Sequence, residues 1–66
     1  MKIEFNGEEM ILESGTSISE FLKMIRPEGI KGAILVNGLL VKSATHSTYE
    51  LKDGDKVELI ILAGGG

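Results

Sequence analysis

The sequence predicts an α+β fold in which one helix packs on one face of a mixed sheet of four to five strands. Apolar and polar residues alternate in several short segments, which is the pattern of strands with one buried face. A single segment among them shows the helical spacing of apolar residues instead. With 66 residues, the chain also has no room for a doubly wound nucleotide-binding sheet or a second domain.

Two strands joined by a tight turn are predicted first. Polar and apolar residues alternate from Lys2 to Phe5, and Asn6-Gly7 then supplies two residues that tolerate positive φ. The return strand is predicted at residues 9–13, with Met10 and Leu12 on one face.

The predicted helix follows this hairpin. Its apolar residues have the spacing i, i+3, i+4 and i+7, and they are Ile18, Phe21, Leu22 and Ile25. Ser17 and Glu20 form a capping box at the start of the helix. Pro27 restricts the residue before it, so the helix is expected to end near Arg26. Because so short a helix does not persist alone, it must pack on the sheet.

A second hairpin and a final strand complete the predicted sheet. After a loop at residues 29–32, the apolar run at 33–36 predicts a central strand that is buried on both faces. Asn37-Gly38 is the second hairpin turn, and residues 39–42 form the return strand. Polar residues 43–50 are expected to form a loop with one helical turn.

The last strand is predicted at residues 56–62, after a tight turn at Asp53-Gly54-Asp55. Residues 1–63 therefore form one domain, and residues 64–66 form a flexible glycine tail.

The inward positions of the strands and the helix predict the core. It is expected to contain Ile3, Phe5, Leu12, Ile18, Phe21, Leu22, Ile25, Ile34, Val36, Val57, Leu59 and Ile61. The opposite face of the last strand then carries Glu58, followed by the large apolar residues Ile60 and Leu62. Exposed apolar residues beside a mobile tail indicate a partner-binding surface that includes these three residues. The alternative is that Ile60 and Leu62 are scattered surface residues or are covered elsewhere.

The composition excludes several classes of protein. Cysteine is absent, which rules out a disulfide framework and a thiolate metal site. Seven basic and ten acidic residues give a net charge of −3, which argues against nucleic acid or an anionic membrane as the partner. The sequence contains no membrane segment or secretory signal, so a cytoplasmic protein is expected.

The reactive side chains do not form a recognisable catalytic set. His46 is the only histidine, and we interpret it as a structural loop residue. The hydroxyl groups at 43–48 lack a nucleophile elbow, and the carboxylates at 8–13 lack the spacing of a calcium loop. Lys31 is not preceded by a phosphate-binding loop. We therefore expect no metal site and no bound cofactor.

The segment Ala63-Gly64-Gly65-Gly66 indicates a function. Glycine loses more freedom on ordering than any other residue, so this tail is expected to stay mobile. A slender tail can enter a narrow channel and present its carboxylate to the active site of another protein. A frayed end or a cloning remnant is the alternative.

Several segments match one known family in their order and spacing. They are Phe5-Asn6-Gly7-Glu8, Gly15-Thr16-Ser17-Ile18, Glu20-Phe21-Leu22, Val36-Asn37-Gly38 with Val41, Leu51-Lys52-Asp53-Gly54-Asp55-Lys56-Val57-Glu58, and the glycine tail. In these segments the whole chain resembles the ThiS/MoaD family of ubiquitin-like sulfur carriers, and it is most similar to the carriers of thiamine biosynthesis. The resemblance implies a ubiquitin-like β-grasp fold and a carrier protein rather than an enzyme.

The resemblance also implies a reaction and its partners. In the family, an E1-like adenylyltransferase of the ThiF/MoeB type uses ATP to activate the terminal glycine carboxylate. A persulfide made by a cysteine desulfurase or sulfurtransferase then displaces AMP and leaves a thiocarboxylate. A thiazole synthase of the ThiG type uses this sulfur to make the thiazole of thiamine. By resemblance, Gly66 is the modified residue, while Gly64 and Gly65 belong to the tail that the partner recognises.

Two alternatives stay open at this point. The chain can be a sulfur carrier for another pathway, such as molybdopterin synthesis or tRNA thiolation. It can also be a ubiquitin-like protein modifier, whose tail forms isopeptide bonds, or a plain interaction domain. In each case we expect the free protein to be a monomer.

Overall fold

The computed structural model describes residues 1–25 and 32–61, and it places them in one mixed sheet with one helix. The elements are β1 (Lys2–Phe5), β2 (Glu8–Ile11), α1 (Ile18–Ile25), β3 (Gly32–Val36), β4 (Leu39–Val41), a 3₁₀ turn (Ser43–Thr45) and β5 (Lys56–Ile61). The strand order is β2-β1-β5-β3-β4, with β1 and β5 parallel and the other neighbours antiparallel. The predicted fold class and the order of its elements are confirmed.

Some predictions concern residues outside the described ranges. They are the helix end near Arg26, the loop at 29–31, the outward position of Leu62, and the domain boundary at 63 with its flexible tail at 64–66. These stay predictions.

Both predicted hairpin turns are present. Asn6 and Gly7 have φ angles of 47° and 86°, and Asn37 and Gly38 have φ angles of 53° and 84°. Such angles are those of two-residue type I′ turns, which suit the twist of the flanking strands. The return strands β2 and β4 start directly after the glycines, and both end slightly before their predicted limits.

β3 differs from its prediction in two ways. It begins at Gly32, which the sequence analysis assigns to the preceding loop. A Cβ on Gly32 would lie 2.8 Å from the main-chain oxygen of Ile60, so the close approach of β5 requires glycine. β3 is also not the central strand, because β5 lies between it and β1. Ile34 and Val36 are buried on one face, whereas Leu35 on the other face is only partly covered.

The core lies between α1 and the inward face of the sheet. Its buried apolar side chains are Ile3, Leu12, Ile18, Phe21, Ile34, Val36, Val41, Leu51 and Val57. The predicted core residues Phe5, Leu22, Ile25 and Leu59 are partly buried and pack against this cluster. Burial of Ile61 is a wrong prediction, because its side chain is 57% exposed. β1 has ended before this point, and the β3 residue opposite Ile61 is Gly32, which has no side chain to cover it.

Val41 and Leu51 are core residues that the sequence prediction omits. Val41 lies on the inward face of the edge strand β4. Leu51 is brought inward by hydrogen bonds at the start of the helix, where its N–H donates to the oxygen of Thr16 at 2.9 Å. Nearby, the N–H of Ile18 donates to the oxygen of Tyr49, also at 2.9 Å. These long-range bonds dock the segment that precedes β5.

α1 begins with the predicted capping box. The N–H of Ser17 donates to Oε1 of Glu20 at 3.0 Å, and the N–H of Glu20 donates to Oγ of Ser17 at 3.1 Å. Ile18 and Phe21 are fully buried on the inward side of the helix. The rings of Phe21 and Phe5 meet edge to face, with centroids 5.0 Å apart. The helix therefore packs on one face of the sheet, as predicted.

The capping box predicts a dependence of stability on pH. The main-chain N–H of Ser17 lowers the pKa of Glu20, and the Ser17 hydroxyl and the charge of Lys23 act in the same direction. Because the pKa of Glu20 is lower in the folded state, its charge stabilises the fold at pH values above the ordinary pKa of glutamate. This stabilisation is lost as the pH falls through the lowered pKa. We expect E20Q to be less stable than the unmodified protein at neutral pH and equally stable in strong acid. Denaturation midpoints at both pH values check this, and a difference that persists in acid would contradict it.

Candidate functional site

The candidate site is the carboxyl-terminal half of β5, which leads into the predicted modification site. β5 occupies the centre of the sheet, between β1 and β3. Of the predicted site residues, the structure describes Glu58 and Ile60, both exposed on this strand. Leu62, Gly64, Gly65 and Gly66 lie outside the described residues.

The asparagines of the two hairpin turns both bind β5. Asn37 binds its start, because it donates its N–H to the oxygen of Lys56 at 2.7 Å and accepts the Lys56 N–H on Oδ1 at 3.0 Å. Asn6 binds further along, where its N–H donates to the oxygen of Val57 at 3.0 Å. The Oδ1 of Asn6 also accepts the N–H of Leu59 at 3.0 Å. From the sequence these asparagines are predicted only as turn residues, since Asn-Gly carries no information about a distant partner strand.

An apolar surface, here called the outer patch, lies on the sheet face opposite the helix. It consists of Ala33 and Leu35 on β3, Leu40 on β4 and Ile60 on β5. Ala33 is paired with Ile60, and Leu35 with Leu40. Ile60 is 48% exposed and Leu40 is 61% exposed, whereas Ala33 and Leu35 are partly covered. The predicted exposure of Ile60 is confirmed.

The outer patch is wider than the sequence analysis predicts. The alternation along the last strand predicts Ile60 on the outward face, but the apolar run at 33–36 predicts a strand that is buried on both sides. In the structure α1 covers one face only, so Leu35 belongs to the outward face. The adjacent leucines at 39 and 40 indicate an apolar side chain on the outward face, because an alternating return strand cannot bury both of them.

Charged residues occupy the other half of the sheet face opposite the helix. On β1 and β2 the outward side chains include Lys2, Glu4 and Glu9, and Lys2 lies 3.6 Å from Glu9 in an exposed ion pair. Glu58 is paired with Leu35 at the border of the outer patch. The outward face is thus divided into an apolar half on β3, β4 and the end of β5 at Ile60 and a largely charged half on β1, β2 and the start of β5.

The loop residues have structural roles. His46 places Nε2 3.0 Å from the main-chain oxygen of Val41, which confirms its interpretation as a loop residue. The hydroxyls of Thr45 and Thr48 donate to the main-chain oxygens of Lys42 and Thr45. Within residues 1–25 and 32–61, no three acidic, histidine or cysteine side chains come together as a metal site would require. In the same part of the chain, no helix has the length and apolar character needed to cross a membrane.

Comparison with known sequences identifies relatives along the whole chain. Residues 2–66 match the model of the ThiS family. A curated relative from Paramagnetospirillum magneticum, named thiazole synthase, is 29% identical over 66 residues. That match covers all of this chain but only 20% of the relative, so the chain spans about a fifth of its length.

Comparison with solved structures gives the same fold. The crystal structure of the thiamine biosynthesis protein ThiS from Geobacter metallireducens superposes with a TM-score of 0.86, at 23% identity and with both chains fully covered. The solution structure of a thiamine biosynthesis protein from the same organism gives a TM-score of 0.77, also at 23% identity. It covers all of this chain and 88% of that one. The ubiquitin-like β-grasp fold implied by the sequence is thereby confirmed.

Proposed function

Because this chain belongs to the ThiS family, we propose that it is a sulfur carrier protein of thiamine biosynthesis. The Gly66 carboxylate is adenylated and converted to a thiocarboxylate, which donates its sulfur for thiazole formation. The observation that supports this most strongly is the extent of the family match, which runs through the glycine tail to residue 66. Gly64 and Gly65 are the tail positions that must fit the channel of the partner.

The proposed chemistry follows from the properties of a carboxylate. A carboxylate is a poor electrophile, so its oxygen attacks ATP, and an acyl-adenylate and pyrophosphate form. The terminal sulfur of a persulfide on a cysteine desulfurase or sulfurtransferase then attacks the carbonyl, and AMP leaves. A thiol then attacks the enzyme's cysteine sulfur in the resulting acyl disulfide, so that a new disulfide forms with that cysteine and the thiocarboxylate leaves. Because the activation uses ATP, we propose that it takes place in the cytoplasm, with ATP bound by the adenylyltransferase of the ThiF/MoeB type.

A thiazole synthase of the ThiG type is the proposed acceptor of the sulfur. The support is that a relative named thiazole synthase contains a region similar to this whole chain. A carrier and its acceptor must meet in every catalytic cycle, and joining them in one polypeptide raises their effective concentration. The carrier itself supplies the tail and the docking surface rather than a catalytic centre.

The test is the mass of the intact protein. After incubation with the adenylyltransferase, ATP, a cysteine desulfurase and cysteine, we expect a gain equal to one oxygen-to-sulfur exchange at Gly66. Omission of ATP should abolish this gain, and addition of a thiazole synthase with its substrates should reverse it. Transfer only to a molybdopterin or tRNA acceptor would reassign the pathway. Conjugates with lysines of other proteins would indicate a modifier, and no change with any activator would overturn the carrier function.

The outer patch, together with Glu58 and Leu62, is the proposed docking surface for the adenylyltransferase. We expect I60D to weaken binding by at least about 2 kcal/mol, or roughly 30-fold, because an apolar anchor in an interface is often worth this much. I11D is the matched control, since Ile11 is 71% exposed on the same face but lies on the edge strand β2. Calorimetry measures both affinities, and denaturation midpoints verify folding. Equal affinities of I60D and the unmodified protein would show that Ile60 is an ordinary surface residue.

A further inference from the structure

β5 continues past the point where its neighbour β1 ends. The two strands run parallel, and their pairing ends with Phe5 opposite Val57. Directly after Phe5 the chain reverses in the first hairpin turn, so β1 does not extend along residues 58–61. On its other side, β5 remains paired with β3 as far as Ile61. Among the described strands, only β3 therefore supports the last part of β5.

The side chain of Asn6 accepts a hydrogen bond from β5 that the main chain of a longer β1 would otherwise accept. In a parallel ladder, one residue donates its N–H to the neighbouring strand and then accepts the next N–H on its main-chain carbonyl. Asn6 donates its N–H to Val57 in this way. Its φ of 47° belongs to the turn, and the N–H of Leu59 is bound at 3.0 Å by Oδ1 of the side chain. One residue thus both turns the chain and extends the ladder.

We infer that Asn6 is a positioning residue, which keeps the end of β5 in the sheet and so fixes the position and direction of the chain as far as Ile61, ahead of the predicted tail. The inference rests on the proposed function, because the tail must reach the active site of an adenylyltransferase. Each residue that is already ordered in the free carrier is one that the enzyme does not have to order on binding. Loss of the Asn6 side chain should therefore weaken productive binding without changing the chemical step.

Asn37 provides a matched control at the opposite end of the same strand. It occupies the same position in its own hairpin turn, with φ 53°, and its Oδ1 accepts the N–H of Lys56 at 3.0 Å. Glycine adopts positive φ freely, so both N6G and N37G retain their turns and lose a side-chain bond to β5. N37G also loses the 3.0 Å hydrogen bond from Nδ2 of Asn37 to Oδ1 of Asp55, so an effect of lower overall stability is expected in N37G as well as in N6G. An effect on the tail belongs to N6G alone.

The experiment measures adenylation kinetics and amide exchange on the full chain. With ATP and an adenylyltransferase, we expect N6G to raise the KM for the carrier about threefold to tenfold, the range for loss of one net hydrogen bond, with kcat unchanged. The Leu59 amide should exchange faster in N6G, while the Glu4 amide, bonded to Asp55 in the same ladder, reports global opening. N37G should leave KM unchanged, and any faster exchange of its Leu59 amide should be matched by that of the Glu4 amide. N6D retains an acceptor oxygen and should restore both KM and Leu59 exchange.

Each outcome decides the inference. An equal rise of KM in N6G and N37G would mean that general stability is responsible, and it would overturn the positioning role. An unchanged KM or an unchanged Leu59 exchange in N6G would overturn it as well. If the unmodified protein is not adenylated by any activator, the proposed function fails. Leu59 exchange then decides separately whether Asn6 orders the end of β5.

Discussion

Removal of Gly65 and Gly66 should abolish formation of the thiocarboxylate while leaving the fold unchanged. The deletion shortens the reach of the tail by roughly 6–7 Å of extended chain, so the new carboxylate cannot meet the nucleotide in the active site of the adenylyltransferase. Addition of one leucine after Gly66 should abolish the reaction too, because the Gly66 carboxylate becomes an amide and the new terminal residue carries a bulky side chain beside the carboxylate. Intact-mass analysis after incubation with ATP and the sulfur source measures both effects.

Two controls separate reach from stability in this experiment. The denaturation midpoint of the deletion variant should equal that of the unmodified protein, because the buried core lies between Ile3 and Val57. Insertion of one glycine between Ala63 and Gly64 keeps a free terminal glycine but moves it by about 3.3–3.6 Å. This variant should react slowly rather than not at all. Full modification of the deletion variant would show that Gly66 is not the activated residue.

The F21A substitution should destabilise the domain by about 3–5 kcal/mol. Phe21 is fully buried at the centre of the helix–sheet interface, and its ring packs edge to face with that of Phe5. A chain of 66 residues has a total stability of only about 3–10 kcal/mol at typical values per residue, so F21A removes a large part of it. The denaturation midpoint should fall strongly, and partial unfolding at room temperature is compatible with this expectation.

M24A is the matched control for F21A, because Met24 lies on the same helix but is 62% exposed. Its substitution should change stability by no more than about 0.5 kcal/mol, as for ordinary surface positions. Similar midpoints for F21A and M24A would contradict the assignment of the buried helix face.

Both hairpins and the helix could be predicted from the sequence because short-range rules govern them. Asn-Gly followed by a return strand specifies a two-residue turn, and both turns have the expected positive φ angles. The Ser17–Glu20 capping box lies within four residues, and the structure contains both of its hydrogen bonds. The apolar spacing of the helix likewise identified Ile18 and Phe21 as core residues. In each case the residues that decide the structure are neighbours in the chain.

The candidate site was predictable only in part. The outward position of Ile60 follows from the period of two along a strand, and the structure confirms it. The contribution of Leu35 was missed because a fully apolar run does not reveal whether one or both faces of its strand are covered. The second role of Asn6 was missed because its partner Leu59 is distant in the sequence.

Tertiary structure alone decided which strands are neighbours, and this determined the site. β5 lies at the centre because it pairs with β1 on one side and with β3 on the other. Its parallel pairing with β1 joins residues about fifty positions apart, and periodicity carries no information about such a pairing. The same arrangement explains the wrong prediction for Ile61, which has the correct parity for burial but extends beyond β1 and faces Gly32. Local sequence patterns therefore identified the elements and the inward side of β1, β2, β5 and the helix, but not that of β3. The sheet order determined which inward residues are covered, because burial depends on what the neighbouring strands place beside them.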